Sequence, residues 1–140
     1  MKKNIISLII LFSGISVGLA ENQGGNDMKL TSPSFNHNET IPLQFTCQGK
    51  DINPQFDISG IPEGTKSLAL IMDDPDAPMA TWIHWVVFDI PPTTTQIKEK
   101  SIPGKEGIND FQRLHYGGPC PPSGTHRYFF KLYALDTLLN

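Results

Sequence analysis

The residues able to do chemistry in this 140-residue chain gather in two stretches. The first is Asp73-Asp74-Pro75-Asp76-Ala77-Pro78, followed closely by Trp82-Ile83-His84-Trp85. Carboxylates this close repel one another, so a loop that gathers them needs a cation, a cluster of donors or open solvent. Pro75 and Pro78 fix φ at their own positions and push Asp74 and Ala77 out of the α region, which gives Asp74 and Asp76 set directions. The second stretch runs from Tyr116 through Gly117-Gly118-Pro119-Cys120-Pro121-Pro122 to His126-Arg127-Tyr128. Gly117 and Gly118 leave backbone N–H groups approachable, which suits an anion cradle. His126 shares strand parity with Tyr128 and Phe130, placing an imidazole beside a phenol. Each stretch also has a plain structural reading. His84 alone fits a satisfied core histidine, and the second stretch alone fits a tight proline-rich turn whose cysteine serves only a disulfide.

Something must position these groups, and the pattern says strands. All twelve prolines lie between Pro33 and Pro122, which excludes a helical bundle or coiled coil over that region. Ile41, Leu43, Phe45 and Cys47 alternate with more polar residues and predict an edge strand containing Pro42. Phe56 and Ile58 predict a short strand stopped by Gly60 and Pro62. The unbroken apolar run from Ser67 to Met72 predicts a strand buried on both faces. Trp82 to Ile90 predicts the longest strand, with Trp82, His84, Val86, Phe88 and Ile90 on one face. Tyr128 to Asp136 predicts the last, with Tyr128, Phe130, Leu132 and Ala134 together. The expected fold is mainly β, a two-sheet antiparallel β-sandwich.

The N-terminus narrows the compartment. Lys2 and Lys3, the apolar run Ile5 to Leu11 with Phe12, and the small residues Gly18 and Ala20 read as a signal peptide over residues 1–20. That apolar run is short for a membrane span of about 20 residues, so no stable span is expected. Residues 21–28 read as a flexible linker and residues 29–140 as one domain. Without Lys2 and Lys3, nine basic residues face fourteen acidic ones, a formal charge of −5 that leaves no basic stripe for nucleic acid. A periplasmic or secreted location makes Cys47 and Cys120 a candidate disulfide pair, with two buried thiols as the alternative.

Taken together, the motifs are recognisable. Asp74-Pro-Asp-Ala-Pro, Trp82-x-His84-Trp85 and Gly118-Pro-x-Pro-Pro-x-Gly-x-His126-Arg-Tyr128 resemble the phosphatidylethanolamine-binding protein family, over about residues 29–136. Cys47-Gln-Gly49 and the Gly-Pro-Cys-Pro-Pro variant look most like its bacterial, Raf-kinase-inhibitor-like branch. The resemblance implies a β-sandwich with a small pocket for phosphate-bearing groups or similar anions, formed by Asp74, Asp76, Trp82, His84, Gly118, Pro119, His126 and Tyr128. In that pocket His84, His126, Tyr128 and the Gly118 N–H would donate to the ligand, Asp74 and Asp76 would orient the imidazoles, and Trp82 and Pro119 would form an apolar wall. Family members usually continue into C-terminal helical structure. Asp136 to Asn140 offers only the start of such a helix, so the domain is expected to be C-terminally short.

Three function classes follow. The favoured one is an exported binding protein for a small anionic ligand or phospholipid head group, with no cofactor. The second is an inhibitor or regulator of a kinase pathway or protease, meeting a protein partner through the pocket rim. The third is an enzyme, such as a metal-assisted hydrolase using two His and two Asp, or a Ser123–His126 pair. It is disfavoured, and no metal is expected, because there is no His-Glu-x-x-His pattern and Gly-Thr-His after Ser123 is not a nucleophile elbow.

Overall fold

The computed structural model describes residues 27–140; the expected signal peptide and most of the linker fall outside them. Seven strands form: β1 (Lys29–Thr31), β2 (Phe56–Ser59), β3 (Ser67–Asp74), β4 (Trp82–Ile90), β5 (Gln96–Ile97), β6 (Lys105–Glu106) and β7 (Phe129–Leu135). They make two antiparallel sheets, one ordered β1-β2-β5 and the other β6-β4-β3-β7. Phe56, Ile58 and Ile97 from the first sheet pack with Leu68, Leu70, Met72, Trp85, Val87 and Ile90 from the second in one core. The β-sandwich read from the sequence is the observed fold.

The apolar run of β3 is the spine of the larger sheet. β4 lies on one side of it and β7 on the other, and every residue of β3 except Ile71 is buried. Three rungs cross this sheet on its core face: Ile90–Leu68–Ala134, Val87–Leu70–Leu132 and Trp85–Met72–Phe130. Along β7 the expected alternation holds, since Tyr128, Phe130, Leu132 and Ala134 all pack against the core.

β4 departs from the expected pattern. Its register with β3 slips twice, between the pairs Leu68–Ile90 and Leu70–Val87, and between Met72–Trp85 and Asp73–Ile83. Each slip adds one residue to β4, a β-bulge that resets which face a side chain meets. Asp89, in the first bulge, has φ 52°. Val86 and Phe88 consequently do not join Ile90 in the core. Phe88 is only partly buried, and the Val86 side chain borders Gly107, where an added Cβ would lie 2.9 Å from it.

The strand expected at Ile41–Cys47 is instead a single 3₁₀ turn, Leu43–Phe45. Alternation there was coincidental, because the backbone finds its partners locally. Phe45 N–H donates to the Pro42 carbonyl at 2.9 Å, Thr46 N–H to Leu43 at 3.0 Å, and Gly49 N–H to Thr46 at 2.9 Å. Only Phe45 of that turn is buried. The segment is tied to the site loop by the Cys47–Cys120 disulfide, with Cα atoms 5.5 Å apart. Cys47 N–H donates to Pro119 O at 3.1 Å beside it, and the Tyr116 hydroxyl donates to Phe45 O at 3.0 Å.

This clamp joins residues 73 apart in sequence, so its loss frees a long loop in the unfolded chain. The double variant Cys47→Ala/Cys120→Ala is expected to lose about 2–4 kcal/mol of stability. Urea unfolding of variant and oxidised wild type measures it. Coincident midpoints would show that the 43–49 turn and the 116–120 loop are held by other contacts.

Candidate functional site

The site is the polar end of the core face. Asp74 follows Met72 by two residues on β3, so alternation puts its side chain on the same face as Met72, Trp85 and Phe130. Tyr128 and His126 continue the core-facing parity of β7 past Phe130. The second bulge of β4 brings His84 to this end as well, and His84 and the adjacent Trp85 are both buried, at 3% and 1% exposure. Asp74, His84, His126 and Tyr128 thus meet where the apolar rungs stop.

His84 is held on several sides. Its Nδ1 lies 2.7 Å from the Gly117 carbonyl oxygen. A carbonyl only accepts, so Nδ1 carries the proton and the neutral ring presents its lone pair at Nε2. The rings of Phe111 and Tyr128 stand edge-on to it, each with its centroid 5.2 Å away. Burial pushes the His84 pKa below its usual value; the Gly117 carbonyl and the negative charge of Asp74 oppose that shift without cancelling it.

The backbone behind His84 is fixed by one buried amide. Asn109 Nδ2 donates to His84 O at 2.9 Å and to His115 O at 2.7 Å, while its Oδ1 accepts from Phe111 N at 3.1 Å and Arg113 N at 3.3 Å. Next to it, Asp110 accepts from Ile83 N–H at 2.6 Å, and Asp110 N–H donates back to Ile83 O at 3.0 Å. Gly117 N–H closes the clamp on His84 O at 3.1 Å.

His126 is oriented by a carboxylate. Its Nδ1 lies 2.7 Å from Asp74 Oδ2, and Asp74 Oδ1 accepts from Asp76 N–H at 2.9 Å. The Tyr128 hydroxyl is buried and has no well-aligned hydrogen-bond partner, although the Asp74 carboxylate and the Cys120 backbone both approach it. Burial, and then the Asp74 charge, push its pKa up to about 12, so it stays a phenol. Asp76 does not orient an imidazole as expected. It takes Arg127 Nε at 2.9 Å, Nη2 at 2.7 Å and backbone N–H at 2.8 Å, and these bonds hold its carboxyl far below the usual carboxylate range.

Two further expectations change. The N–H groups of Gly117 and Gly118 are not free for a ligand, since Gly117 donates to His84 O and Gly118 donates to Asp51 Oδ1 at 2.6 Å. Glycine is needed at both for close approach: an added Cβ would sit 2.6 Å from the Phe111 ring at 117 and 2.3 Å from Phe45 O at 118. Trp82 and Pro119 do not form one wall. Trp82 packs edge-on to Phe111, whereas Pro119 lines a cleft of about 770 Å³ together with Leu30, Phe35, Phe56, His126, Tyr128 and Phe130. That cleft opens between β1 and β7, each an outer strand of its sheet. Among the described residues, no group of three or more His, Cys, Asp or Glu side chains is placed to hold a metal ion.

Asp51, Asn109, Asp110, Phe111 and Arg127 escaped the sequence reading. Arg127 carried a usable signal, a cation beside His126 facing an acidic loop. The others act across sequence gaps that no local pattern reports.

Two outcomes follow. Since His84 binds protons more weakly folded than unfolded, the unfolded chain holds more protons below about pH 6.5, and stability falls as pH drops through that range. His84→Gln should flatten this part of the stability profile measured by urea unfolding at pH 5 to 8; an unchanged slope would assign the acid sensitivity elsewhere. Asn109→Ala leaves the His115 carbonyl without its side-chain donor, the His84 carbonyl with Gly117 N–H alone, and the Phe111 and Arg113 N–H groups without their acceptor, at a cost of about 2–3 kcal/mol. The same unfolding series checks it, and a loss under about 0.5 kcal/mol would count against the clamp.

The geometry can be set beside known proteins. Residues 31–139 match the family model described as phosphatidylethanolamine-binding protein. A UPF0098 protein of Aquifex aeolicus is 51% identical over 138 residues, covering 93% of this chain and 77% of that protein. A UPF0098 protein of Methanothermobacter thermautotrophicus is 50% identical over 121 residues, covering 81% of this chain and 80% of its own. Neither name describes an enzyme. Among solved structures, the phosphatidylethanolamine-binding protein homolog CT736 of Chlamydia trachomatis superposes with a TM-score of 0.79 at 40% identity, covering 82% of this chain and 79% of that one. E. coli YbcL, described as a new member of the mammalian PEBP family, superposes with a TM-score of 0.74 at 37% identity, covering 79% and 78%. With the match extending over most of its length, the chain belongs to the phosphatidylethanolamine-binding protein family.

Proposed function

We propose that this is an exported binding protein whose pocket takes an oxyanionic group, such as a phosphate monoester or a phospholipid head group. One observation carries the reading: the Tyr128 hydroxyl, buried and without a well-aligned partner, stands against His84, while His126 is anchored through Nδ1 to Asp74. A buried hydroxyl without a partner costs about 1–3 kcal/mol, and a ligand oxygen would recover that cost. Two imidazoles fixed at Nδ1 hold their Nε2 atoms in set directions before a ligand arrives, which lowers the ordering cost of binding. The apolar cleft beside His126 and Tyr128 suits a ligand with a non-polar portion. Export rests on the N-terminal pattern of Lys2, Lys3 and the apolar run.

A second reading, regulation of a protein partner through the rim, draws on Met79 at 99% exposure with Trp82 and Phe111 also exposed near the site. Exposed apolar side chains of this kind are what a protein contact would cover.

Calorimetric titration with phenyl phosphate tests the first reading. Wild type should bind, and Tyr128→Phe and His126→Ala should each weaken binding about tenfold or more. Equal affinity in both variants would move the ligand elsewhere. A partner captured by wild type and by Tyr128→Phe, but lost on Met79→Ser/Trp82→Ser, would favour the rim.

A further inference from the structure

The pairing of charges around this pocket determines the form in which its ligand binds, given the oxyanion reading above. The cations on the elements that build the site are already matched. Arg127 pairs with Asp76 at 2.7 Å, Arg113 with Asp51 at 3.5 Å, and Lys131 with Asp73. What remains is negative or neutral. Asp74 has only His126 as a potential counter-charge, and the other carboxylate facing His84, Asp110, is engaged by a backbone N–H. Tyr128 is a neutral phenol, and Glu39 and His37 line the cleft beside it. Even with His126 as an imidazolium, its pair with Asp74 carries no net positive charge.

The free hydrogen-bonding atoms point the same way. His84 spends its Nδ1 proton on the Gly117 carbonyl, 2.7 Å away, and His126 directs Nδ1 to Asp74. In a neutral His84 the atom left over is therefore an acceptor, Nε2, which faces a ligand oxygen unfavourably unless a proton lies between them. A dianion would bring two negative charges into a site where, among the described residues, no unpaired cation stands, beside a carboxylate that is 3% exposed.

We infer that the pocket binds its oxyanion together with one proton, held between a ligand oxygen and His84 Nε2, so that the bound species is a monoprotonated oxyacid and not a bare dianion. Whether the proton rides on the ligand or on the imidazole, the count is the same. A phosphate monoester has its second pKa near about 6, so at pH 7.5 it is mostly a dianion in water. With His84 held neutral by burial, the proton must come from solvent.

Calorimetry of the full chain with phenyl phosphate, run at pH 7.5 in HEPES and in Tris, reads this proton directly from the difference in buffer ionisation heat. About one proton taken up per ligand is expected, with affinity falling about tenfold per pH unit between pH 7 and 8.5. His84→Ala should bind more weakly and take up close to none. Because that variant could be unstable, the ¹⁵N resonance of His84 Nε2 in wild type supplies a second readout, expected to shift towards the protonated value on saturation. Vesicles containing phosphatidic acid present the same monoester on a lipid, and the same uptake is expected from that source. Binding with no proton uptake and a flat pH profile would overturn the inference while leaving the oxyanion reading intact. An unmoved Nε2 resonance would overturn the assignment to His84. No binding of either probe at any pH would remove both.

Discussion

Asp74 is the group on which the rest of this end of the molecule depends. Its position on β3 puts a carboxylate two residues beyond Met72 on an otherwise apolar face, where it is 3% exposed. An unpaired carboxylate buried like this costs several kcal/mol, so donors to it are strongly stabilising. Oδ1 is filled by Asp76 N–H and Oδ2 by His126 Nδ1. Those two bonds also set the geometry. The first curls the chain after β3 and aims the Asp76 carboxylate at Arg127, whose backbone N–H it captures. Fixing Arg127 fixes the entry into β7, and so the placement of His126 before it and Tyr128 after it. What stabilises the buried charge also assembles the site.

The acidic cluster is resolved by dispersal. Strand alternation carries Asp73 and Asp74 to opposite faces of the same strand, so repulsion between neighbours in sequence is relieved by direction. Asp73 pairs with Lys131 from β7, and Asp76, past the strand end, pairs with Arg127. Three carboxylates that looked like a shared cation site find three separate partners on one segment, residues 126–131. That segment is thereby tied by side chains to the end of β3 and the loop after it, in addition to the ladder that joins β7 to β3.

Legibility followed the range of the forces involved. β2, β3, β4 and β7 could be read because burial imposes a pattern on four to nine consecutive residues. β1, β5 and β6 have two or three residues each, too few for any period. The Ile41–Cys47 alternation misled because Pro42 and Thr46 let the backbone satisfy itself in a turn. In the site, Asp74, His126 and Tyr128 were readable from motif and parity. His84 was found, but strict alternation misplaced Val86 and Phe88, since a period of two cannot register a bulge. Gly117 and Gly118 were misread because glycine serves both open N–H groups and close packing, and only the packing of Phe111, across an irregular loop, and of Phe45, distant in sequence, decides between them.

That same close packing explains how a loop can hold an imidazole as firmly as a strand would. Residues 107–118 contain no strand or helix, yet Asn109 uses every hydrogen-bonding capacity of its amide on backbone groups of the loop and of β4. A buried amide satisfied in this way acts as a brace, because any shift breaks several bonds at once in a low-dielectric setting. Gly117 then lets Phe111 close against the backbone, and Phe111 in turn closes against His84. The ring is left with one orientation and one tautomer. Among the described residues the buried atoms left without a hydrogen bond are the Tyr128 hydroxyl and Asp73 Oδ1; the first lies at the pocket, where binding can use it, and the second belongs to a carboxylate whose other oxygen pairs with Lys131.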